Sequence, residues 1–247
     1  MSDMRNLLFL RENLIAHRGL HYLFRENTLS SFQHAIDMGY IIEFDVRLSK
    51  DKEVVIYHDY SLMRLYHDSR LIKDLKMDEL RKYHIPTMKE VLDLVSGKVP
   101  IIIEVKACHR VLMNKLVMLL DQYKGKFAIQ SFFSKVLLYF KKIRPLYIRG
   151  YLIYDIKNLT CFFNFFLRKR LLSYTIKPSF IGVNLSSLSF DCIKKLRKKY
   201  IIIGYTVHDA DEYIRYMGDA DNFICDIPKN GIKKQETVPL RTVSQKE

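Results

Sequence analysis

The length and composition of the chain favour one globular domain. Its 247 residues are 49% hydrophobic and 13% aromatic, which is enough to bury one sizeable core. No stretch reaches the roughly 20 apolar residues of a membrane-spanning helix, and the apolar run at residues 7–10 is too short for a signal-peptide core. The four cysteines are scattered without a CxxC pair, which excludes a disulfide scaffold and predicts a reducing compartment, the cytoplasm.

The net charge of +14 is spread along the chain in short basic runs. Most of these runs fall at the ends of predicted helices, where cations complement the helix dipole. The alternative is a surface that faces an anionic membrane or another polyanion. No recognised nucleic-acid-binding module is present, so we expect no sequence-specific nucleic-acid partner.

Strand-like apolar runs recur along the chain, and most of the stretches between them have helical spacing. The runs begin near Leu14, Ile41, Ile101, Phe127, Ile148, Phe180, Ile201 and Asn222. Eight strands that alternate with helices are typical of a closed β/α barrel, so the pattern predicts a TIM (β/α)8 barrel of the α/β class. We expect this single barrel to occupy residues 1–228 and a mobile polar tail to occupy residues 229–247.

One connection of the predicted barrel is too long. About 60 residues separate the strand starts at Ile41 and Ile101, against roughly 20 to 30 between the others, which predicts an insertion at about residues 49–86, after the second strand. Within it, residues 53–58 have the pattern of a short strand and residues 77–83 that of a short helix. Thr87 and Glu90 form a capping-box pattern that would begin the helix returning to the barrel.

Polar residues interrupt or follow the predicted strands where an active site of such a barrel would lie. In these barrels the carboxyl ends of the strands carry the chemistry. The residues at those ends are His17 and Arg18, Glu43 and Asp45, Glu104 and Lys106, and Gln130 and Ser131, and His58 and Asp59 follow the strand of the insertion. All of them are therefore expected at one rim of the barrel.

The most informative of these residues are the carboxylates. Glu43 and Asp45 stand two residues apart in an apolar strand and so point to one side. Inside a barrel, unpaired carboxylates would cost several kcal/mol, and a divalent cation or a basic partner is the usual remedy; a solvated strand edge is the alternative. Glu104 repeats the pattern, with Lys106 on the same side. A structural Glu104–Lys106 ion pair is the alternative there, and the repetition on neighbouring strands argues against it.

Histidines are weak signals when they stand alone. His17 could be a core histidine, and His67, His84 and His109 show how readily this chain supplies unrelated ones. His208, at the end of the seventh barrel strand, could also reach the rim. As a set, however, the clusters predict a metal-dependent phosphodiesterase site: two histidines can move protons, three carboxylates can hold a hard cation, and Arg18 and Lys106 can neutralise a phosphate.

The same residues carry a family resemblance. The matching stretches are His17-Arg18-Gly19, Glu26-Asn27-Thr28, Glu43-Phe44-Asp45, residues 54–59, residues 103–106, Gln130-Ser131-Phe132, Tyr205-Thr206-Val207 and residues 225–228. In this order and spacing the chain resembles the bacterial glycerophosphodiester phosphodiesterases. Two positions depart from the common pattern of that family and bear on substrate choice: Tyr205 stands where tryptophan is usual, and residues 219–222 replace a glycine-rich lead into the last strand.

The resemblance implies a β/α barrel that hydrolyses small phosphodiesters of glycerol to an alcohol and glycerol 3-phosphate. By this implication, Glu43, Asp45 and Glu104 bind one Ca²⁺ or Mg²⁺, and His17 and His58 are the acid–base pair. Arg18 and Lys106 would contact the phosphate. The supporting residues implied are Glu26, Asn27, Gln130 and Tyr205.

A segment at residues 158–172 leaves the substrate class open. Burial on one helix face explains Phe162, Phe163 and Phe166, but it does not explain Phe165 or the basic residues 168–170. Such a helix is typical of peripheral association with an anionic membrane, which would favour lysophospholipids or glycerophosphate polymers. Two alternatives follow: a lysophospholipase D-type or cyclic-phosphate-forming phospholipase, and an inactive barrel that binds lipid or polyanions. The complete set of site residues counts against the second.

Overall fold

The computed structural model describes residues 7–153 and 175–227, and within them eight parallel strands close into a barrel. The strands are β1 (Ile15–Ala16), β2 (Ile41–Leu48), β4 (Ile101–Val105), β5 (Phe127–Ser131), β6 (Ile148–Ile153), β7 (Phe180–Asn184), β8 (Ile201–Val207) and β9 (Asn222–Cys225). β1 pairs with both β2 and β9, and this double pairing closes the sheet. The predicted barrel is confirmed, with each strand beginning within one residue of its predicted start.

Helices connect the strands on the outside of the barrel. In the described ranges they are α1 (Phe9–Glu12), α2 (Leu29–Asp37), α3 (Met63–Tyr66), α4 (Met77–Arg81), α5 (Met88–Val95), α6 (Arg110–Gln122), α7 (Ser134–Ile143), α8 (Asp191–Arg197) and α9 (Ala210–Tyr216), with short 3-10 turns at Ile72–Asp74 and Leu185–Ser187. The predicted capping box at Thr87 and Glu90 begins α5, and a second one, formed by Thr28 and Ser31, begins α2.

The predicted insertion follows β2 and has a small core of its own. Its strand β3 (Val54–Ile56) pairs antiparallel with β2, with Val46 opposite Ile56. Val55, Leu62, Ile72, Leu80 and neighbouring apolar side chains form the core of the insertion. Because β3 runs antiparallel to β2, it returns the chain toward the barrel interior, and the backbone N–H of Tyr57 donates to the Asp45 carbonyl at 3.0 Å. His58 therefore reaches the barrel site.

The barrel interior is apolar at one end and polar at the other. Successive side chains of a strand point to opposite faces, so alternate residues of each barrel strand face inward. The inward residues at the amino end form a plug that α1 covers with Phe9 and Leu10. The strand residues of this plug are Ile15, Ile41, Ile102, Ala128, Phe180, Ile203 and Ile224. Toward the carboxyl ends, the next inward positions of β2 and β4 are Glu43, Asp45 and Glu104, which places the carboxylates above the apolar plug.

Several expectations concern residues outside the described ranges. These are the aromatic and basic segment at residues 158–172, the tail at residues 229–247 and Cys161, so the extent of the predicted domain stays a prediction. Cys108, Cys192 and Cys225 are free thiols. No helix in the described ranges is both long and apolar enough to cross a lipid bilayer.

Candidate active site

Three carboxylates from two adjacent strands meet inside the barrel. Glu43, Asp45 and Glu104 are 2%, 1% and 8% exposed, and one oxygen atom of each lies within 4.8 Å of the others. The register of β2 and β4 places Asp45 beside Glu104. The structure therefore places all three predicted ligands on the interior face of the barrel rather than at a solvated edge.

Two predicted phosphate ligands lie against these carboxylates. Arg18 Nε is 3.2 Å from Asp45 Oδ2, and Lys106 Nζ is 2.7 Å from Glu104 Oε1 and 3.5 Å from Asp45 Oδ1. The Glu104–Lys106 ion pair, against which the sequence pattern argued, is therefore present. The repeated carboxylates on neighbouring strands did not exclude this ion pair. Lys106, two residues after Glu104, is long enough to contact both Glu104 and Asp45.

The balance of charge differs between the three carboxyl groups. Burial, with the nearby charges of Asp45 and Glu104, raises the pKa of Glu43 well above its ordinary range. Burial and the charge of Asp45 also raise the pKa of Glu104 to about 7. Burial opposes ionisation of Asp45 as well, but Lys106, Arg18 and His58 together lower its pKa to about 2. The cluster thus has more negative groups than its two cations can balance.

An added divalent cation fits this set of donors. Carboxylate and amide oxygens are the ligands that Ca²⁺ and Mg²⁺ prefer. Beside the three carboxylates, Gln130 donates from Nε2 to Glu43 Oε1 at 3.2 Å. Its own Oε1 is buried and has no hydrogen-bond partner within residues 7–153 and 175–227. The unbalanced negative charge and this amide oxygen both favour a hard cation at the cluster.

The loop after β1 holds Arg18 and Asn27 in position. Asn27 is buried and donates from Nδ2 to Asp45 Oδ2 at 3.0 Å. Gly19 has a φ of +80°, and a Cβ there would lie 2.5 Å from Ser31 Oγ, so a side chain would be both strained and obstructed. Arg18 and Asn27 also have positive φ values, 54° and 56°. Strained backbone of this kind often occurs at functional sites.

The two predicted acid–base histidines are oriented in the same way. His17 Nδ1 is 2.7 Å from Asp226 Oδ1, and His58 Nδ1 is 2.7 Å from Asp59 Oδ1. A carboxylate at Nδ1 holds the proton on that nitrogen, which leaves Nε2 of each ring to accept one. Burial lowers the pKa of His58, against the opposing charge of Asp45.

Two arginines that sequence analysis missed support His58. Arg47 donates from Nε and Nη2 to the His58 carbonyl, at 2.9 and 2.5 Å. Arg64 binds Glu26 at 2.5 and 3.0 Å and Asp59 at 2.6 Å, and so joins the loop after β1 to the insertion. Arg47 had a readable signal, since it continues the inward series of Glu43 and Asp45. Arg64, on the short helix α3, had none.

Asp226 is the centre of a cluster that sequence analysis also left without a role. Besides His17, its carboxylate contacts His21 Nε2 at 3.0 Å and His208 Nδ1 at 2.6 Å. Its signal was its place directly after β9, the last strand of the barrel. His208 does reach the rim, as expected of a rival histidine, whereas His67 and His84 are exposed on the insertion and His109 is exposed on the loop after β4.

Tyr205 and Glu26 complete the predicted set. The Tyr205 hydroxyl donates to the Ile153 carbonyl at 2.6 Å, and its ring lies edge-on to Phe132, with the ring centroids 6.1 Å apart. Glu26 accepts from Arg18 Nη1 at 2.9 Å. All eleven predicted site residues therefore lie on segments that meet at the carboxyl ends of the barrel strands.

Fold and site together define a class, the β/α barrels with a carboxylate cation site and paired histidines at the carboxyl ends of the strands. Comparison with known proteins narrows this class. The model of the glycerophosphoryl diester phosphodiesterase family matches residues 17–221, so the chain belongs to that family. The family resemblance inferred from the sequence is thereby confirmed.

Individual relatives agree with this assignment. The crystal structure of a glycerophosphodiester phosphodiesterase from Thermotoga maritima superposes with a TM-score of 0.74 at 30% identity, covering 87% of this chain and 95% of that one. A glycerophosphodiester phosphodiesterase of Caldanaerobacter subterraneus is 30% identical over 152 residues, which are 53% of this chain and 63% of the relative. Lysophospholipase D GDPD1 of Rattus norvegicus is 34% identical over 130 residues, 44% of this chain and 41% of the relative. The match thus spans less than two thirds of either of these last two proteins.

Proposed function

We propose that the protein is a metal-dependent phosphoric diester hydrolase that converts glycerophosphodiesters to an alcohol and glycerol 3-phosphate. One observation carries the proposal. Two histidines, each held at Nδ1 by its own carboxylate, lie on segments that flank the buried cluster of Glu43, Asp45 and Glu104. Membership of the glycerophosphoryl diester phosphodiesterase family supports the same chemistry.

In this proposal His17 and His58 share the proton transfers. The attacking oxygen, from water or from the neighbouring glycerol hydroxyl, must lose a proton, and the leaving alkoxide must gain one. One ring accepts the first proton at Nε2, and the other, when protonated, donates from Nε2 to the leaving oxygen. Asp226 and Asp59 keep each ring oriented and stabilise the imidazolium form when it arises.

The cationic side chains have the complementary role. Arg18 and Lys106 neutralise the phosphate and the charge that develops on it, a contribution of several kcal/mol in such sites. Glu43, Asp45 and Glu104 would hold one Ca²⁺ or Mg²⁺. When bound, that cation supplies positive charge against a phosphoryl oxygen. Gln130 and Asn27 keep the carboxylates in place through the hydrogen bonds described above.

A second candidate substrate class is favoured by the surface around the site. Exposed apolar side chains lie on the segments that follow β1, β3 and β5: Tyr22, Leu23, Phe24, Tyr60, Met63 and Phe133. Leu23 and Tyr60 are 66% and 68% exposed. With the net charge of +14, these residues favour peripheral contact with an anionic membrane and a lysophospholipid substrate. The cytoplasm is the proposed location, on the evidence of the free thiols.

One experiment tests both substrate classes. Purified protein is incubated with glycerophosphocholine or lysophosphatidylcholine in Ca²⁺, Mg²⁺ or chelator, and ³¹P NMR identifies the products. We expect cation-dependent release of glycerol 3-phosphate, with lysophosphatidate from the lipid if the second candidate is right. A cyclic phosphate as the final product would instead identify the phospholipase alternative. A folded protein that is silent with every substrate and cation would contradict the proposed function.

The membrane contact has its own test. Flotation with anionic vesicles at physiological salt should enrich the wild-type protein over neutral vesicles, and a Leu23→Ser, Phe24→Ser double variant should float less. The matched control is Met118→Ser, which changes a 66% exposed apolar residue of α6, away from the site. Equal flotation with both kinds of vesicle would contradict the membrane contact while leaving the hydrolase proposal intact.

A further inference from the structure

A group of metal-ligating side chains lies beside the carboxylate cluster and is separate from it. Its members are His17, His21 and Asp226, whose donor atoms all lie within 4.8 Å of one another. Two ring nitrogens, His17 Nδ1 and His21 Nε2, converge on the same oxygen, Asp226 Oδ1, at 2.7 and 3.0 Å. The other oxygen of Asp226 contacts His208 Nδ1 at 2.6 Å.

The donor types differ from those of the carboxylate cluster. Glu43, Asp45 and Glu104 offer only oxygen, which suits Ca²⁺ and Mg²⁺. Two imidazole nitrogens and one carboxylate oxygen are instead a common ligand set of Zn²⁺ sites that keep a fourth position open. Imidazole also favours Zn²⁺ and similar transition metals over hard cations. The two clusters should therefore select different ions.

Access differs as well. The side chains of His17, His21 and Asp226 are 18%, 23% and 19% exposed, so solvent reaches them. Asp226 alone is sufficient to orient His17. His21 therefore has no part in the proposed reaction. Its ring is 6.0 Å from that of His17, centroid to centroid, at an interplanar angle of 63°. This arrangement lets both rings direct a nitrogen at one point beside Asp226.

We propose that His17, His21 and Asp226 form a second, inhibitory cation site that takes Zn²⁺ or a similar transition metal, with His208 supporting Asp226 from the other side. Binding would act through the tautomer of His17. A metal at Nδ1 requires a lone pair there, so the proton of the neutral ring moves from Nδ1 to Nε2. The Nε2 atom then carries hydrogen and has no lone pair with which to accept a proton.

The consequence rests on the proposed function, because it requires His17 to transfer protons during hydrolysis. With Nδ1 bound to the metal, His17 is held in one protonation state and cannot cycle between acid and base. The ion would thus stop turnover without displacing the cation at Glu43, Asp45 and Glu104. A hard cation would support the reaction at one site while a borderline cation blocks it at the other.

The test measures binding and inhibition separately on protein saturated with Ca²⁺. Calorimetry follows Zn²⁺ binding, Co²⁺ absorption reports nitrogen ligation, and hydrolysis of glycerophosphocholine gives the inhibition. We expect one Zn²⁺ to bind the wild type and abolish its activity. His21→Asn should retain basal activity but bind Zn²⁺ roughly tenfold or more weakly. His84→Asn, at an exposed histidine of the insertion, should behave as wild type.

Three results would overturn the inference: no Zn²⁺ binding by the Ca²⁺-loaded wild type, equal binding by His21→Asn, or His21-dependent binding that leaves hydrolysis unchanged. Failure of the proposed function is distinguishable from these. If no substrate is hydrolysed under any condition, the proposed activity fails, while Zn²⁺ binding and a Co²⁺ spectrum that both require His21 would still support the site.

Discussion

One row of register neighbours changes character as it passes around the barrel from strand to strand. The parallel register places Asp45 beside Glu104, Glu104 beside Gln130, Gln130 beside Gly150, and Gly150 beside Phe180. The wall formed by β2, β4 and β5, the ionic wall, thus carries charged and polar side chains. In the wall formed by β6 and β7, the apolar wall, the Phe180 ring fills the space beside Gly150. The same row therefore serves chemistry where it begins at the carboxylates and packing where it reaches Phe180 in the apolar plug.

The two walls should respond differently to their surroundings. The ionic wall concentrates buried carboxylates whose mutual repulsion destabilises the fold until cations balance it. The apolar wall is stabilised by burial, which depends on neither pH nor metal. Substitutions can test this contrast, and the expected effects run from the loss of catalysis to a modest change in packing.

The largest effect should come from the histidines beside the ionic wall. His17→Asn and His58→Asn should each lower kcat for glycerophosphocholine by roughly 10² to 10⁴, because each removes one proton transfer. His84→Asn, at an exposed histidine of the insertion, is the matched control and should leave kcat unchanged. Circular dichroism melting checks that each variant is folded. A folded single variant with wild-type kcat would contradict the assignment of the residue it changes.

The next effect separates two carboxylates of one strand. Asp45→Asn leaves Arg18 and Lys106 without a shared partner, and we expect a loss of about 3–5 kcal/mol in the free energy of unfolding. Glu43→Gln removes the carboxyl group whose ionisation burial and the neighbouring carboxylates oppose, so in chelator it should stabilise the protein while weakening Ca²⁺ binding. Urea denaturation measures the first quantity and calorimetry the second. Equal destabilisation by both variants in chelator would contradict the charge balance described here.

The ionic wall should also make the metal-free protein sensitive to pH. The pKa of Glu104 is about 7 in the folded chain against an ordinary value of 4.5, so folding opposes its ionisation. The free energy of unfolding in chelator is therefore highest below about pH 4.5 for this group and falls as pH rises toward 7. Because each pKa unit corresponds to about 1.4 kcal/mol, the loss should be a few kcal/mol.

Denaturation series at pH 5 to 7.5 measure this loss. Ca²⁺ should offset the fall in the free energy of unfolding, and Glu104→Gln should flatten it in chelator. A metal-free wild type that becomes more stable over this interval, or a Glu104→Gln variant that retains the full slope, would show that another group governs the pH dependence.

The smallest effect concerns the apolar wall. A Cβ at Gly150 would lie 2.1 Å from Phe180 Cζ, so Gly150→Ala should cost about 1–3 kcal/mol of stability through overpacking. The loss should not change between chelator and Ca²⁺. Gly218→Ala, where no heavy atom lies within 4 Å of the added Cβ, is the control. Adding Phe180→Leu should recover part of the loss, and a double variant no better than the sum of the two would contradict steric conflict as its cause.

The same contrast explains what the sequence predicted. Apolar runs predicted each strand start, and the long spacing between two of them predicted the insertion. The inward carboxylates were predictable because Glu43, Asp45 and Glu104 interrupt apolar runs. The sequence did not predict the partner of His17, since Asp226 is 209 residues away in the chain. Arg64 joins two loops through contacts that leave no local pattern. Nor could the sequence pair Gly150 with Phe180, because only barrel closure and register bring them together.

The proposed phosphodiester hydrolysis depends on a divalent cation at the ionic wall. The most direct test titrates chelated protein with Ca²⁺ and follows glycerophosphocholine hydrolysis and calorimetric binding on the same sample. We predict that activity and occupancy rise together with one ion bound, and that Glu104→Gln shifts both curves to higher Ca²⁺. Full hydrolysis in chelator, or a saturated cation site in a folded protein without hydrolysis, would contradict this role of the cation.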